Sequence, residues 1–164
     1  MPRATSVLAA TERRDRPVVD TVILDYAQRG AQKLGITGVK GGAVEIDLRA
    51  SRRLHTDDLL LLEDGSLVEV VAAPEPLIEA RAANVSSLAR LAWHLGDRHV
   101  PVQVLPNRIR ARRDGAIEAL LVSLGAKVAP IEAPFEAEGG AYAFSHGHGH
   151  VHHAHDHDHH GHDH

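Results

Sequence analysis

The 164-residue chain contains no cysteine. That absence removes disulfides, Cys-X-X-Cys redox chemistry and thiolate metal cages together, so any metal here is bound by nitrogen and oxygen. Aromatic residues are nearly as scarce. Trp93, Tyr26, Tyr142, Phe135 and Phe144 are the whole set, so the cores must be aliphatic. No apolar run approaches the ~20 residues needed to span a bilayer. The N-terminal MPRATSVLAATERRDRP carries too short an apolar stretch for a secretory leader. These absences predict a cytoplasmic, soluble chain with no membrane contact. A strong excess of one charge is also missing. The net charge is −4, and three of the negative charges are tail aspartates. No basic stripe interleaved with aromatics points to nucleic acid. Catalytic signatures are lacking too: there is no GxxxxGK[ST] phosphate loop, no HExxH and no GxSxG elbow. Gly38-Val39-Lys40-Gly41-Gly42 has neither the spacing nor the following Ser/Thr of a phosphate loop. Asp57-Asp58 and the pairs Arg13-Arg14, Arg52-Arg53 and Arg112-Arg113 read as solvated faces. The chain reads as a non-enzyme.

What is present in excess is histidine, and it is concentrated at one end. Residues His146, His148, His150, His152, His153, His155, His157, His159, His160, His162 and His164 are eleven of the fourteen in the chain. Glycine and Asp156, Asp158 and Asp163 fill most of the gaps. Neutral imidazole is the commonest protein ligand for nickel, copper and zinc. With Val151 as its one apolar residue larger than alanine, the segment cannot offset the entropy of folding, and disorder is expected. A purification tag would be a plainer histidine run, and a spacer would be simpler in Gly/Ser. Imidazoles would also charge together on mild acidification, whatever the tail is for. Metal binding is the reading that uses all of the composition.

The foldable part divides by hydrophobic period. From Val18 to Val71 the segments VVDTVIL, AVEIDL and SLVEVVA alternate or run apolar between glycines. Val44, Ile46 and Leu48 share one face, and Asp64-Gly65 predicts a type I′ hairpin turn. Pro74 and Pro76 mark a boundary, since prolines at alternate positions do not continue a central strand. Beyond them the order reads strand (77–82), helix, strand (102–105), strand (108–112), helix, strand (127–133). Leu88, Leu91, Ala92 and Leu95 form one helical face, with Asn84, Ser86 or Ser87 as N-cap and Gly96 as stop. Ile117, Leu120, Leu121 and Leu124 form the second, capped by Asp114 and closed by Gly125. The fold class is therefore α+β. A flexible N-terminus (1–17) precedes a small all-β domain (18–73), a ferredoxin-like βαββαβ domain (74–143) and a disordered His-rich tail (144–164). Domains of about sixty residues are marginal alone, and self-association is one remedy.

Three histidines lie outside the tail. His55 reads as a solvated loop or strand-edge residue, and His94 as a surface or interface residue off the Leu88/Leu91/Leu95 stripe. His99 sits in Gly96-Asp97-Arg98-His99-Val100-Pro101, on a short connection stiffened by Pro101. One imidazole is too few for a divalent metal. Two copies across a dimer twofold, completed by tail histidines, would suffice.

Several stretches together carry a resemblance. They are Leu88-Ala-Arg-Leu-Ala-Trp-His-Leu-Gly-Asp-Arg-His99-Val-Pro-Val-Gln-Val, Leu61-Leu-Glu-Asp-Gly-Ser-Leu-Val-Glu-Val-Val, Ala133-Pro-Phe-Glu-Ala-Glu-Gly-Gly-Ala-Tyr142 and the tail. In this order they resemble the UreE family, urease accessory proteins that act as nickel metallochaperones. The HLGxRHxPxQ core is the specific part of the match. The resemblance implies an N-terminal β domain, a ferredoxin-like metal domain, a head-to-head homodimer and His99 as the interface ligand for nickel(II). It implies delivery to the urease accessory GTPase and the urease apoprotein, with zinc or copper as further ions taken in vitro. Two departures stand out. Asp97 replaces the usual asparagine, which puts a carboxylate two residues from His99, either to strengthen metal affinity or to pair with Arg98. The stretch Arg108 to Gly115 lacks the histidines that some members carry. Against delivery stand two other readings: nickel or zinc storage without a client, and a prolyl isomerase-like enzyme with a metal tail.

Overall fold

Apolar alternation builds a curled sheet in the first half of the chain. The computed structural model describes residues 1–50 and 52–139. Six strands, β1 (Arg3–Leu8), β2 (Val18–Leu24), β3 (Lys33–Thr37), β4 (Ala43–Asp47), β5 (Leu59–Leu62) and β6 (Leu67–Ala72), lie in the order β2-β6-β5-β1-β4-β3. The pairs β1/β4 and β2/β6 are parallel and the others antiparallel. Val44, Ile46 and Leu48 are all buried, as the period-two pattern requires. They pack with Val22, Leu24, Leu60, Val68 and Val70 in one cluster. The loop after β3 turns back on the opposite edge, where Val39 N donates to Thr21 O at 2.8 Å.

That loop is seated on Asp20, which is 7% exposed and accepts from the backbone of Lys40 and Thr21. These amides hold the Asp20 carboxyl below the usual range. A Cβ on Gly38 would lie 2.1 Å from Asp20 Oδ2. Two backbone amides hold the carboxylate, so it swings aside only by losing those bonds. Gly38→Ala should therefore destabilise the protein by about 1–3 kcal/mol, seen as a lower urea midpoint at unchanged m-value.

Three expectations are corrected in this half. The first seventeen residues are not a flexible lead. β1 lies inside the sheet between β5 and β4, with Ala4 fully buried. Its apolar residues are too few to leave a clear alternating signal, and backbone bonds hold it on both sides: Glu45 N to Pro2 O at 2.9 Å and Glu63 N to Arg3 O at 3.1 Å. The β5–β6 hairpin is present, but its turn is not type I′. Only Gly65 has positive φ (86°), and Leu62 N bonds Ser66 O across a three-residue loop. That is the geometry of a type I turn followed by a left-handed bulge residue. The prolines, finally, lie inside a strand. β7 (Pro74–Arg81) begins at once after β6, and Pro74 and Pro76 pair with the last strand. Pro76 O accepts from Arg113 N, so the missing N–H faces the side where the other neighbouring strand has already ended.

The second half continues with α2 (Val85–Asp97), β8 (Gln103–Leu105), β9 (Arg108–Arg112), α3 (Gly115–Ser123) and β10 (Lys127–Pro134). The sheet order is β10-β7-β9-β8 and every neighbour is antiparallel. Asn84 caps α2 by accepting from Ser87 N, and Asp114 caps α3 by accepting from Ala116 N and Ile117 N. Ile78, Ala80, Ile109 and Ala111 on one sheet face pack with Leu91, Leu95 and Leu121 from the helices.

The two sheets are clasped by the short helix α1 (Tyr26–Arg29) and the segment after β10. Phe135 is fully buried against Tyr26 at 5.0 Å between ring centroids. Arg53 and Arg112 lie over the Tyr26 ring at 3.7 and 5.0 Å. Arg29, also fully buried, donates to Phe135 O and Leu54 O and pairs with Glu136 at 3.1 Å. Glu136 in turn accepts from Thr56 N and contacts His55 Nδ1 at 2.9 Å. His55 is thus a bridging residue as well as a half-exposed one.

Candidate functional site

The helix α2 cannot run past residue 99. Val100 precedes Pro101, and the residue before a proline is pushed out of the α region. The chain closes the helix with two bonds: His99 N to Gly96 O and Val100 N to Leu95 O, both at 3.0 Å. This pairing is the Schellman arrangement, with Val100 packed on the core that contains Leu95. It requires a left-handed residue at position 99, and His99 has φ of 55°. Gly96, read as the stop, lies one turn too early. The helix cap is Arg98.

The same device ends α3. Gly125 N bonds Val122 O at 2.9 Å and Ala126 N bonds Leu121 O at 3.1 Å, with Gly125 at φ 82°. Two helices of equivalent position thus end identically, one on glycine and the other on histidine. A Cβ in this conformation costs roughly 1–2 kcal/mol. Glycine would relieve that strain at 99, so the fold alone does not account for the imidazole there.

His99 is exposed and lines a cleft of about 650 Å³ at the junction of the two sheets. Asp25, Glu75, Asp114, Arg112 and Arg113 share its walls. Asp25 and Asp114 cap their helices, and Glu75 accepts from Tyr26 N through Oε2 at 2.8 Å, while its Oε1 is buried without a hydrogen-bond partner. Among the described residues no three His, Asp or Glu side chains converge to hold a metal ion. His99 is, among the described residues, the one imidazole that lines this cleft.

Asp97 and Arg98 flank it, both exposed. Arg98 donates to His94 O at 3.0 Å and so closes the last turn of α2. His94 is half-buried with its ring edge-on to Trp93 at 5.0 Å, and Trp93 is 63% exposed. The histidines from His146 to His164 lie outside the described residues. The described chain does approach the site, however. Glu138 N donates to Val102 O at 2.7 Å, three residues from His99.

Two features of this region escaped sequence reasoning. The left-handed state of His99 was legible in principle from His-Val-Pro set beside the Gly125 terminus. The Arg29–Glu136–His55 clasp has no local signal, because its members are distant in sequence.

Residues 4–73 match the family model for the N-terminal domain of the UreE urease accessory protein, and residues 75–164 match that for its C-terminal domain. The chain belongs to the UreE family. The seam between the two UreE matches falls where one sheet gives way to the other, at Ala73. The chain is 51% identical over 143 residues to the urease accessory protein UreE of Bradyrhizobium sp. strain BTAi1, covering 87% of this chain and 69% of the relative. It is 52% identical over 143 residues to the UreE of Bradyrhizobium sp. strain ORS 278, covering 87% and 68%. The UreE of Chelativorans sp. strain BNC1 is 46% identical over 142 residues, covering 87% of each chain. No helix among the described residues is long and apolar enough to cross a membrane.

Proposed function

We propose that the chain is a nickel(II) metallochaperone of urease maturation, a carrier rather than an enzyme, working in the cytoplasm as a homodimer. One observation carries the reading: an exposed histidine occupies the left-handed terminus that the twin helix gives to glycine. Its cargo would be held by His99 from both protomers across a twofold axis, and by tail imidazoles. From Glu138 to His146 is eight residues, at most about 26–29 Å of extended chain, which is long enough for the tail to serve the site of its own protomer. Nitrogen ligands exchange, whereas a closed thiolate cage would retain the ion. Zinc and copper should bind in vitro, since raw affinity does not favour nickel over copper.

In this reading the β-α-β-β-α-β half (74–143) is a ferredoxin-like metal-binding and dimerisation domain. Residues 144–164 supply further ions, and the N-terminal β domain includes β1. Trp93, exposed on the helix that ends at His99, is suited to an interface. The receivers are the urease accessory GTPase and then the urease apoprotein.

Nickel titration with mass measurement, on the intact chain and on a chain lacking 146–164, tests the assignment. Truncation should lower the stoichiometry and leave about one tight nickel per dimer. Loss of all tight binding on truncation would move the site into the tail.

A further inference from the structure

The strand β9 has a second face. Ile109 and Ala111 enter the core, which leaves Arg108, Arg110 and Arg112 in line on the sheet face away from the helices. Cross-strand register adds to this row. Arg81 stands opposite Arg108, Glu79 opposite Arg110, and Lys127 opposite Arg81 on the far side. Like charges set directly opposite oppose sheet formation. The arrangement is not explained by the stability of the sheet.

Glu79 is the one acid placed by this register among these cations, and it is saturated. It accepts from Arg81 at 2.9 Å and from Arg110 at 3.0 Å. Arg108 Nε lies 3.1 Å from the same carboxylate, yet it is buried without a hydrogen bond. Burial would raise the Glu79 carboxyl, but the three arginines outweigh it and hold the group below its usual value. One carboxylate therefore faces three guanidiniums, of which Arg81 is half exposed and Arg108 and Arg110 partly so. The row does not stop there. Arg112, about 13 Å along the strand from Arg108, lines the cleft that contains His99, as does Arg113.

We infer that this arginine row is a docking track for an acidic segment of the protein that receives the metal, guiding that segment toward His99. The inference rests on the delivery reading above. Guanidinium forks pair with carboxylates in bidentate geometry, and charge rows of this kind steer association and fix register. A nucleic acid is a poorer occupant. The chain is net negative, Glu79 sits within the row, and the ring beside Arg112, Tyr26, is already covered by Arg53, Arg112 and Phe135.

The test uses the full-length, nickel-loaded chain against the urease accessory GTPase and the urease apoprotein, each immobilised separately. Arg81→Glu with Arg108→Glu should weaken binding to at least one of them by about tenfold or more, and flatten its salt dependence. Nickel stoichiometry and dimer mass should not change. Should the reversed pair not fold, Arg81→Gln with Arg108→Gln should still weaken binding by about three- to tenfold. Binding within twofold of the parent chain would overturn the inference and leave metal delivery standing. A reversed pair that no longer dimerises would make the row an interface between copies and also overturn it. If the parent chain binds neither receiver, delivery itself fails, and the track with it.

Discussion

Replacing His99 by glycine should leave the fold as stable as before or up to about 1 kcal/mol more stable, while nickel delivery collapses. The two effects separate because they come from different parts of the residue. The backbone at 99 is left-handed because Val100 must be extended before Pro101 and must pack on Leu95. Glycine meets that demand without strain, as Gly125 does at the end of α3, although it loses more freedom on folding. The imidazole contributes nothing to that geometry and, among the described residues, is the one histidine side chain that lines the cleft. Loss of the tight nickel site and of urease activation at limiting nickel should therefore accompany an unchanged or higher urea midpoint and an intact dimer. His99→Ala should lose delivery equally without the gain in stability, because its Cβ keeps the strain. Urease activation that survives either change at limiting nickel would sink the assignment of His99 as ligand.

This separation also explains how much the sequence disclosed. Helical faces at three- and four-residue spacing placed α2 and α3, and Asn84, Asp114 and Gly125 act at their ends as their chemistry suggests. Those signals are local, and so is the concentration of imidazole in the tail. The misread elements depend on partners far away in the chain. β1 is held by the backbones of β4 and β5, and Pro74 and Pro76 are tolerated because β9 stops short of them. Gly96 misled because a glycine near a helix end is a good but partial signal. The decisive constraint was Pro101 acting through Val100. The imidazole at 99 could be singled out from the sequence, and its conformation followed only once the helix end was seen.

The largest loss of stability should come from a residue with no catalytic or ligand role at all. Arg29 is a fully buried guanidinium that donates to the carbonyls of Leu54 and Phe135 and pairs with Glu136. Arg29→Met keeps much of the volume and removes every one of those donors. Two buried carbonyls would lose partners and Glu136 would lose its cation, a loss of about 2–5 kcal/mol. Because Leu54 belongs to the first half and Phe135 to the second, the variant should also uncouple them, with denaturant unfolding broadening or splitting into two steps. The pH dependence has a definite sign. Burial alone would raise the Glu136 carboxyl, but His55, the Thr56 amide and Arg29 together hold it below its usual value. A depressed carboxyl stabilises the fold above its unfolded pKa, and that contribution disappears as pH falls through the folded value. The gap between Arg29→Met and the parent chain should thus be full at neutral pH and narrow as pH falls below the ordinary glutamate range of about 4.3 toward the lower folded value, through which Glu136 becomes neutral. A gap that stays constant down to pH 3 would show that the carbonyl contacts, not the ion pair, hold the clasp. A variant as stable as the parent at pH 7 would mean that Arg29 does not clasp the two halves.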